Sequence, residues 1–250
     1  MNVLGIIPAR YGSTRLEGKP LLDICGKSMI QRVYEQAKQL LDYVVVATDD
    51  ERIVKVIEGF GGNVVMTSTD HNTGTNRCLE AYEVFTSKNE IDFDVVLNIQ
   101  GDEPLLDINQ IRSLLNCFLD DTVEMATLVM PVKKEDKLFE GGVYVVLDKF
   151  KNALYFSRSI IPFVRDSDSS VWHNTQIFYK HVGMYGFKPT ALKKFATLDQ
   201  TSLELAESLE QNRWLENGEK IRVEITKIET IAVDTIEDLE RVRKIIAAGN

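Results

Sequence analysis

The chain has 250 residues, of which 44% are hydrophobic and 27% are charged, and its formal net charge is −9. A chain of this length and composition is large enough to bury a sizeable core, either in one large domain or in one domain with a subdomain. The acidic balance argues against a non-specific nucleic-acid binder, which needs a broad basic surface. An anionic small molecule needs only a local cationic pocket and therefore stays open as a ligand.

The sequence also indicates the compartment. No stretch of about 18 apolar residues predicts a membrane span, and the first residues form a strand-like run rather than a basic and apolar leader. The three cysteines, Cys25, Cys78 and Cys117, are too widely spaced for a CxxC pair or a metal site, and we expect reduced thiols. These features favour a cytoplasmic protein.

Strands and helices alternate regularly over the first 119 residues. Short β-branched runs predict the strands, and apolar residues at helical spacing predict the helices. The predicted elements are a strand at Val3–Pro8, a helix at Ser28–Leu41, a strand at Tyr43–Thr48, a helix at Glu51–Phe60, a strand at Asn63–Thr67, a helix at Thr75–Ser87, a strand at Asp94–Gln100 and a helix at Ile108–Leu119. This order predicts an α/β fold with a mostly parallel sheet flanked by helices, where ligands bind at the carboxyl ends of the strands.

The pattern changes from about Val123 onward. The segments "MATLVMPV", "GVYVVLD", "NALYFSRSIIPF" and "HVGMYGFK" read as strands without long helices between them. They predict a smaller mixed or antiparallel subdomain at about 121–185, within a single domain over 1–250 whose core is 1–120 and about 186–250. A helix at Leu203–Asn217, short strands at Ile221–Thr226 and Thr230–Val233, and a final helix opened by Thr235 complete the predicted elements.

The loop "IIPARYGSTRLEGKP" follows the first predicted strand and concentrates positive charge. It contains Arg10, Arg15 and Lys19, and Thr14 adds a hydroxyl donor. A loop between a strand and a helix can direct backbone N–H groups at an anion, and Gly18 allows the backbone to approach a ligand closely. A phosphate site is therefore the favoured interpretation, and a solvated surface turn is the alternative.

A second polar segment, "NIQGDEP", follows the strand that ends near Gln100. Asp102 is well placed there to hold Mg²⁺, which prefers carboxylate oxygens and substrate phosphates. Asp234 in "IAVDT" also follows an apolar run and could supply a second carboxylate. The alternatives are a turn aspartate that caps the next helix and, for Asp234, a helix-entry residue beside Thr235.

The segment "DHNTGTNR" places Arg77 in the first turn of a predicted helix, where a cation is unfavourable to the helix dipole. A ligand phosphate or carboxylate would offset this, and an ordinary surface arginine is the alternative. His71, His173 and His181 are too dispersed to predict a zinc site, although His181 precedes a strand and could contact a ligand.

Taken together, these segments resemble the 3-deoxy-manno-octulosonate cytidylyltransferases, also called CMP-Kdo synthetases, over nearly the whole chain. The resemblance rests on "IIPARYGSTRLEGKPL", "VVVATDDERI", "GTNR", "VLNIQGDEPLL", "ALYFSRSIIPF", "HVGMYGF", "LELAESLEQNRWLENGEKI" and "VDTIEDLERV". It implies a nucleotidyltransferase sheet with a smaller subdomain for dimerisation and the sugar side. It also implies transfer of CMP from CTP to the anomeric hydroxyl of Kdo, with release of pyrophosphate, to activate a lipopolysaccharide or capsule sugar.

The resemblance also implies roles for individual residues. Arg10, Lys19 and Asp102 would be catalytic, and Asp102 and Asp234 would hold Mg²⁺. The nucleotide-binding residues would be Pro8, Ala9, Arg10, Thr14, Arg15, Lys19, Gly74, Arg77 and Gln100. The residues that face the sugar acid would be Arg158, His181, Tyr185, Glu210 and Gln211. A homodimer is implied, and neither nucleic acid nor membrane is an expected partner.

The chain departs from the family pattern at several positions. Glu17 stands where a proline is usual, Asn76 where an acidic residue is common, and Tyr144 where the family often carries a lysine. The loss of that lysine leaves an amino-modified Kdo or a sialic-type sugar acid as alternative substrates. A CTP-binding protein that has lost catalysis is the alternative from another class, and retention of Lys19 and Asp102 argues against it.

Overall fold

The computed structural model describes residues 1–12, 16–71, 73–132 and 142–249. The strands are β1 (Val3–Ala9), β2 (Asp23–Ile24), β3 (Lys27–Ser28), β4 (Tyr43–Thr48), β5 (Val64–Met66), β6 (Val95–Asn98), β7 (Met125–Pro131), β8 (Tyr144–Leu147), β9 (Ala153–Ser157), β10 (Tyr179–Phe187) and β11 (Arg222–Ile225). The helices are α1 (Met29–Lys38), α2 (Glu51–Gly59), α3 (Gly74–Asn89), α4 (Ile108–Asn116), α5 (Pro189–Thr197), α6 (Ser202–Glu207), α7 (Gln211–Glu216) and α8 (Ile236–Ala248). Short 3₁₀ turns cover Lys19–Leu21, Cys117–Leu119 and Ser169–Asn174.

The chain forms two compact units. The first unit comprises Met1–Ile111, Gly186–Ala196 and Thr230–Asn250. The second unit comprises Arg112–Tyr185 and Thr197–Glu229. Each unit therefore contains segments that are distant in sequence.

The first unit is built on a parallel sheet with the strand order β6-β1-β4-β5. The residues of β1 and β4 are almost all buried, as expected for parallel strands that are covered on both faces. Their continuous apolar runs are the signal from which the sequence predicted them. The predicted mostly parallel α/β sheet flanked by helices is confirmed, and the carboxyl ends of these four strands lie along one edge.

Side-chain caps define where the helices of the first unit begin. Ser28, Asp50 and Thr73 each accept a hydrogen bond from a backbone N–H in the first turn of α1, α2 and α3. Thr235 and Asp238 form the predicted capping box at the start of α8. Each such cap stabilises its helix by about 1 kcal/mol. Across the described ranges of the chain, no helix is both long and apolar enough to cross a membrane.

The second unit has the mixed strand arrangement that the sequence predicts. Strand β7 pairs with β11 in parallel, whereas β8 pairs with β9 and β10 in antiparallel fashion. One of its buried clusters consists of Tyr144, Trp172 and Phe178, and the rings of Trp172 and Phe178 stack with centroids 6.1 Å apart. Tyr144, which replaces a lysine common in the related family, is 1% exposed and is thus a core residue of this unit.

The predicted single helix at Leu203–Asn217 is wrong. The chain forms two short helices, α6 and α7, because Ser208 adopts a left-handed conformation with φ of 53° and ends α6. The two helices contact each other through Glu216, whose carboxylate accepts hydrogen bonds from Ser202 Oγ and from the Leu203 N–H, both at 2.9 Å. The predicted strand at Thr230–Val233 is also wrong, since this segment has no regular secondary structure.

Candidate active site

A cleft of about 340 Å³ lies at the carboxyl edge of the sheet in the first unit. The cleft brings together these sequence-predicted residues: Pro8, Ala9, Arg10, Lys19, Gly74, Arg77, Gln100, Asp102 and Asp234. Pro20, His71, Thr73 and Gly101 also line it and were not predicted. Thr14 and Arg15, two further predicted nucleotide-binding residues, lie outside the described residues. Residues that follow separate strands converge here because parallel strands end at the same edge.

The loop after β1 is closed by a backbone hydrogen bond. The Gly18 N–H donates to the Tyr11 carbonyl oxygen at 3.1 Å, immediately before the 3₁₀ turn that carries Lys19. Gly18 has a φ of +66°, and a Cβ atom at this position would lie 3.1 Å from the Tyr11 ring. Both the conformation and the close approach require glycine. The loop therefore presents Lys19 to the cleft from a fixed turn.

The acidic Glu17 in this loop faces a cation on the neighbouring helix. The Arg52 guanidinium lies 3.2 Å from the centroid of the Tyr11 ring, and it forms an ion pair with Asp50 at 2.6 Å. The hydrogen bond with Asp50 raises the pKa of Arg52, and the nearby charge of Glu17 contributes to the same effect. Glu17 thus adds negative charge around Arg52.

Lys19, Asp102 and Asp234 meet at one end of the cleft. Lys19 Nζ lies 2.7 Å from Asp102 Oδ2 and 3.2 Å from Asp234 Oδ1. Asp234 is brought to this place by its neighbour, since the Val233 N–H donates to the Asp102 carbonyl oxygen at 2.9 Å. Asp102 and Asp234 form a pair only. Within the described part of the chain, no group of three or more His, Cys, Asp or Glu side chains could hold a metal ion.

Glu103 is a carboxyl group directly after Asp102 in the chain, and no role was predicted for it. Burial raises the pKa of Glu103 to about 7. A hydrogen bond from Thr230 opposes this rise, and the charge of the adjacent Asp102 adds to it. The signal in the sequence was the pair of adjacent acids in "GDEP", since two neighbouring carboxyl groups disfavour each other's ionisation.

Arg77 lines the cleft, but its guanidinium is engaged by the protein. It donates to Asp49 Oδ2 at 2.6 Å and to Thr67 Oγ1 at 2.5 Å, and its side chain is only 5% exposed. The counter-charge that the sequence analysis sought in a ligand is therefore supplied by Asp49, at the end of β4. Arg77 joins the ends of β4 and β5 to the first turn of α3.

His71 is a cleft residue that the sequence analysis left without a role. Its Nε2 atom forms a short contact with Glu80 Oε2, and the same oxygen accepts a hydrogen bond from the Ser68 N–H at 2.9 Å. Burial alone would raise the pKa of Glu80, but the hydrogen bonds from Ser68 and His71 outweigh it and lower that pKa. Glu80 is therefore an ionised carboxylate at neutral pH that fixes the histidine ring.

The predicted sugar-side residues all lie in the second unit. The rings of His181 and Tyr185 have centroids 5.1 Å apart, and Gln211 begins α7 directly after Glu210. Burial raises the pKa of Tyr185, and the charge of Glu210 contributes to this rise. Arg158 is held by the end of α6, where its Nε donates to the Glu207 carbonyl oxygen at 2.7 Å.

Hydrogen bonds fix the tautomer of His181. The Thr127 hydroxyl donates to the Met184 carbonyl oxygen at 2.8 Å, and His181 Nε2 lies 2.8 Å from the same hydroxyl. Because the hydroxyl has one proton and gives it to the carbonyl, His181 Nε2 must be the donor to Thr127. Burial lowers the pKa of His181 to about 3. The ring is therefore neutral near pH 7, and Nδ1 is its acceptor atom.

Comparisons with known proteins identify related chains. A family model described as "Cytidylyltransferase" matches residues 4–221. Proteins named 3-deoxy-manno-octulosonate cytidylyltransferase from Parabacteroides distasonis and Bacteroides thetaiotaomicron are each 51% identical to this chain, with 99% and 98% of both sequences covered. A solved structure of CMP:2-keto-3-deoxy-manno-octonic acid synthetase complexed with CTP is 38% identical, has a TM-score of 0.89, and is covered over 100% of both chains.

Proposed function

Because this chain belongs to the cytidylyltransferase family, we propose that it transfers CMP from CTP to the anomeric hydroxyl of 3-deoxy-manno-octulosonate and releases pyrophosphate. The observation that carries this proposal is the cleft in which Arg10 and Lys19 meet the carboxylates of Asp102 and Asp234. The names of the relatives and of the CTP-bound structure support the choice of nucleotide and sugar.

The first unit binds the nucleotide. Arg10 and Lys19 hold the triphosphate, and a frame around the nucleotide is formed by Pro8, Ala9, Gly74, Arg77 and Gln100. In the reaction the sugar hydroxyl oxygen bonds to the α-phosphorus, the bond from that phosphorus to the pyrophosphate oxygen breaks, and the hydroxyl proton is lost. Negative charge accumulates on the leaving pyrophosphate, and the two cations of this chain stabilise it.

Asp102 and Asp234 suit a divalent cation. Their carboxylates converge on one positive charge, the Lys19 ammonium, which stands where a cation is favourable. Hard cations such as Mg²⁺ take one or two protein carboxylates together with water and substrate phosphates, and this pair supplies that number. When bound by Asp102 and Asp234, Mg²⁺ would supply neutralisation of phosphate charge and a lower pKa for the attacking hydroxyl.

The second unit binds the sugar acid. Arg158 offers a cation for the sugar carboxylate, and the neutral His181 ring offers Nδ1 as an acceptor for a sugar hydroxyl. Tyr185, Glu210 and Gln211 complete this side. The tautomer of His181 supports the role, since its Nε2–H is already used by Thr127.

The proposal places the protein in the cytoplasm. It also assigns the homodimer interface to the second unit. The exposed large apolar side chains of the unit include Leu154 (59%), Phe163 (75%) and Ile177 (59%), and such surfaces favour association. Light scattering tests the association. A monomer at micromolar concentration would contradict it.

The experiment for the proposed activity is pyrophosphate release from CTP and Mg²⁺ with a panel of sugar acids: Kdo, an amino-modified Kdo and a sialic acid. We expect release with Kdo. If pyrophosphate is released only with one of the other acids, that acid is the substrate instead of Kdo. If CTP binds and no acid leads to pyrophosphate release, the protein is a nucleotide-binding protein without catalysis.

Two aspartate variants test the assigned carboxylate. Asp102→Asn should abolish metal-dependent turnover and leave the fold intact, because it removes a charge from the cleft without changing the shape of the side chain. Asp166→Asn is the matched control, since Asp166 is 83% exposed in the second unit. Unchanged turnover in Asp102→Asn would refute the role of Asp102.

A further inference from the structure

We propose that His71 binds the nucleoside half of CTP and that Glu80 positions its ring, an inference that rests on the proposed function because that function makes CTP the nucleotide. Neither residue had a role in the sequence analysis. Both belong to the segment from the end of β5 into α3, and His71 lines the same cleft as Lys19 and Asp102.

The order of the strands separates the two ends of the cleft. Asp102 follows β6, and His71 follows β5, with β1 and β4 between them. Neighbouring strands lie about 4.8 Å apart, so three spacings separate these strand ends by about 14 Å. The phosphates belong at the end that carries Lys19 and the two carboxylates. The nucleoside can then extend along the strand ends toward β5.

The charged side chains at the end of the cleft near β5 favour an uncharged part of the ligand. Arg77 is paired with Asp49, and Glu80 is held by His71 and by the Ser68 N–H. Both charges are thus compensated by neighbouring protein groups. A triphosphate would gain little from this end, whereas a base and a ribose need hydrogen bonds and contact area rather than charge.

The contact with Glu80 decides what His71 can recognise. A carboxylate is only an acceptor, so His71 Nε2 carries a proton in this pair, and the proposal assigns the acceptor role toward the ligand to Nδ1. Phosphate oxygens are acceptors as well and do not match it. The nucleoside offers matching donors in the cytosine amino group and the ribose hydroxyls. His71 therefore selects a hydrogen-bond donor of the nucleoside.

Calorimetric titration of the full chain tests the assignment. Wild-type protein is titrated first with CTP, and failure to bind would count against the proposed function rather than against His71. The dissociation constants of His71→Ala are then compared with those of wild type for CTP and for inorganic tripolyphosphate. We expect His71→Ala to weaken CTP binding about tenfold, as for one lost hydrogen bond, with tripolyphosphate unaffected.

Analogues that lack one donor identify the group. The loss caused by His71→Ala should disappear with UTP if the amino group is the partner, and with 2′-deoxy-CTP or 3′-deoxy-CTP if it is a ribose hydroxyl. A loss that persists with all three analogues overturns the acceptor role. Unchanged CTP binding, or an equal loss for tripolyphosphate, overturns the nucleoside assignment.

Three further variants separate recognition from folding. His71→Asn keeps an acceptor near the Nδ1 position, so it should recover part of the CTP affinity that His71→Ala loses. His173→Ala is the matched control, because this histidine lies in a 3₁₀ turn of the second unit. Glu80→Ala should weaken CTP binding and leave tripolyphosphate binding unchanged, because the His71 ring loses the contact that orients Nδ1. Loss of affinity in His173→Ala, or full affinity in Glu80→Ala, contradicts the proposal.

Discussion

The Lys19 ammonium lies 2.7 Å from Asp102 Oδ2, which joins the cation proposed for the triphosphate to a carboxylate proposed for the metal. Two neighbouring carboxylates repel each other, and the ammonium offsets that repulsion with Asp234 as its second partner. We expect the ammonium to compete with a divalent cation for these carboxylates. The phosphates of the nucleotide offer Lys19 an alternative partner, so nucleotide and metal should bind together.

Replacing Lys19 by methionine should therefore tighten metal binding in the absence of CTP. With the ammonium gone, Asp102 and Asp234 are uncompensated, and we expect Mn²⁺ to bind to the free protein about tenfold more tightly. Electron paramagnetic resonance of free Mn²⁺ measures this directly. Lys27→Met is the control, because Lys27 pairs with Glu35 on the surface. Equal Mn²⁺ affinity in wild type and Lys19→Met would show that the ammonium does not compete.

Arg77→Lys should lower the free energy of unfolding by about 2 kcal/mol, because a lysine keeps the charge but cannot reach Asp49 and Thr67 with one planar group. Urea unfolding measures the loss. Arg165→Lys is the control on an exposed arginine, with 87% of its side chain accessible. A double variant with Asp49→Asn should lose less than the sum of the two single variants, and strict additivity would argue that the pair is not coupled.

Glu207→Ala should weaken binding of the sugar acid and leave CTP binding unchanged. The Glu207 carboxylate accepts hydrogen bonds from Ser157 Oγ at 2.6 Å, Tyr155 Oη at 3.1 Å and the Arg158 N–H at 2.9 Å. It thus fixes the turn that presents Arg158. We expect KM for the sugar acid to rise about tenfold, with a smaller effect on kcat. A parallel loss of CTP affinity would instead indicate general unfolding.

The neutral His181 should make the protein less stable in mild acid. Burial lowers the pKa of His181 to about 3, whereas an unfolded chain protonates it near pH 6.5. Between these values the unfolded state binds one proton more at this residue, so the contribution of His181 to the free energy of unfolding falls by up to about 1.4 kcal/mol for each pH unit below about 6.5. Glu103 acts in the opposite direction over the same range, because burial raises its pKa to about 7 and the folded state holds the extra proton there. Urea unfolding at pH 7, 6 and 5 should therefore show the effect as a difference, with wild type losing more stability toward pH 5 than His181→Gln.

The sheet of the first unit could be predicted because its strands carry their own signal. Residues of β1 and β4 are buried on both faces, which produces continuous apolar runs that end at polar loops. Lys19 and Asp102 follow such strands, and their convergence follows from the parallel order. This part of the site depends on strand order more than on side-chain detail.

Other features depend on conformations and pairings that a sequence pattern does not display. The left-handed conformation of Ser208 divides a helical pattern in two, and serine is not typical of that region. The pairing of Arg77 with Asp49 depends on β4 lying beside β5, since the two residues are far apart in the chain. The contact of Glu80 with His71 likewise joins residues nine positions apart, and the sequence pattern did not indicate it.

The backbone hydrogen bond from Val233 to Asp102 can form only late in the synthesis of the chain. Lys19 and Asp102 are translated early, whereas Asp234 belongs to the segment from Thr230 onward that completes the first unit. A nascent chain thus carries the cation with only one of its two carboxylate partners. The later segment must leave the ribosome before the second carboxylate can dock, and a chain that ended before Thr230 would lack Asp234 together with Val233, Leu239 and Val242, which belong to a core cluster of this unit.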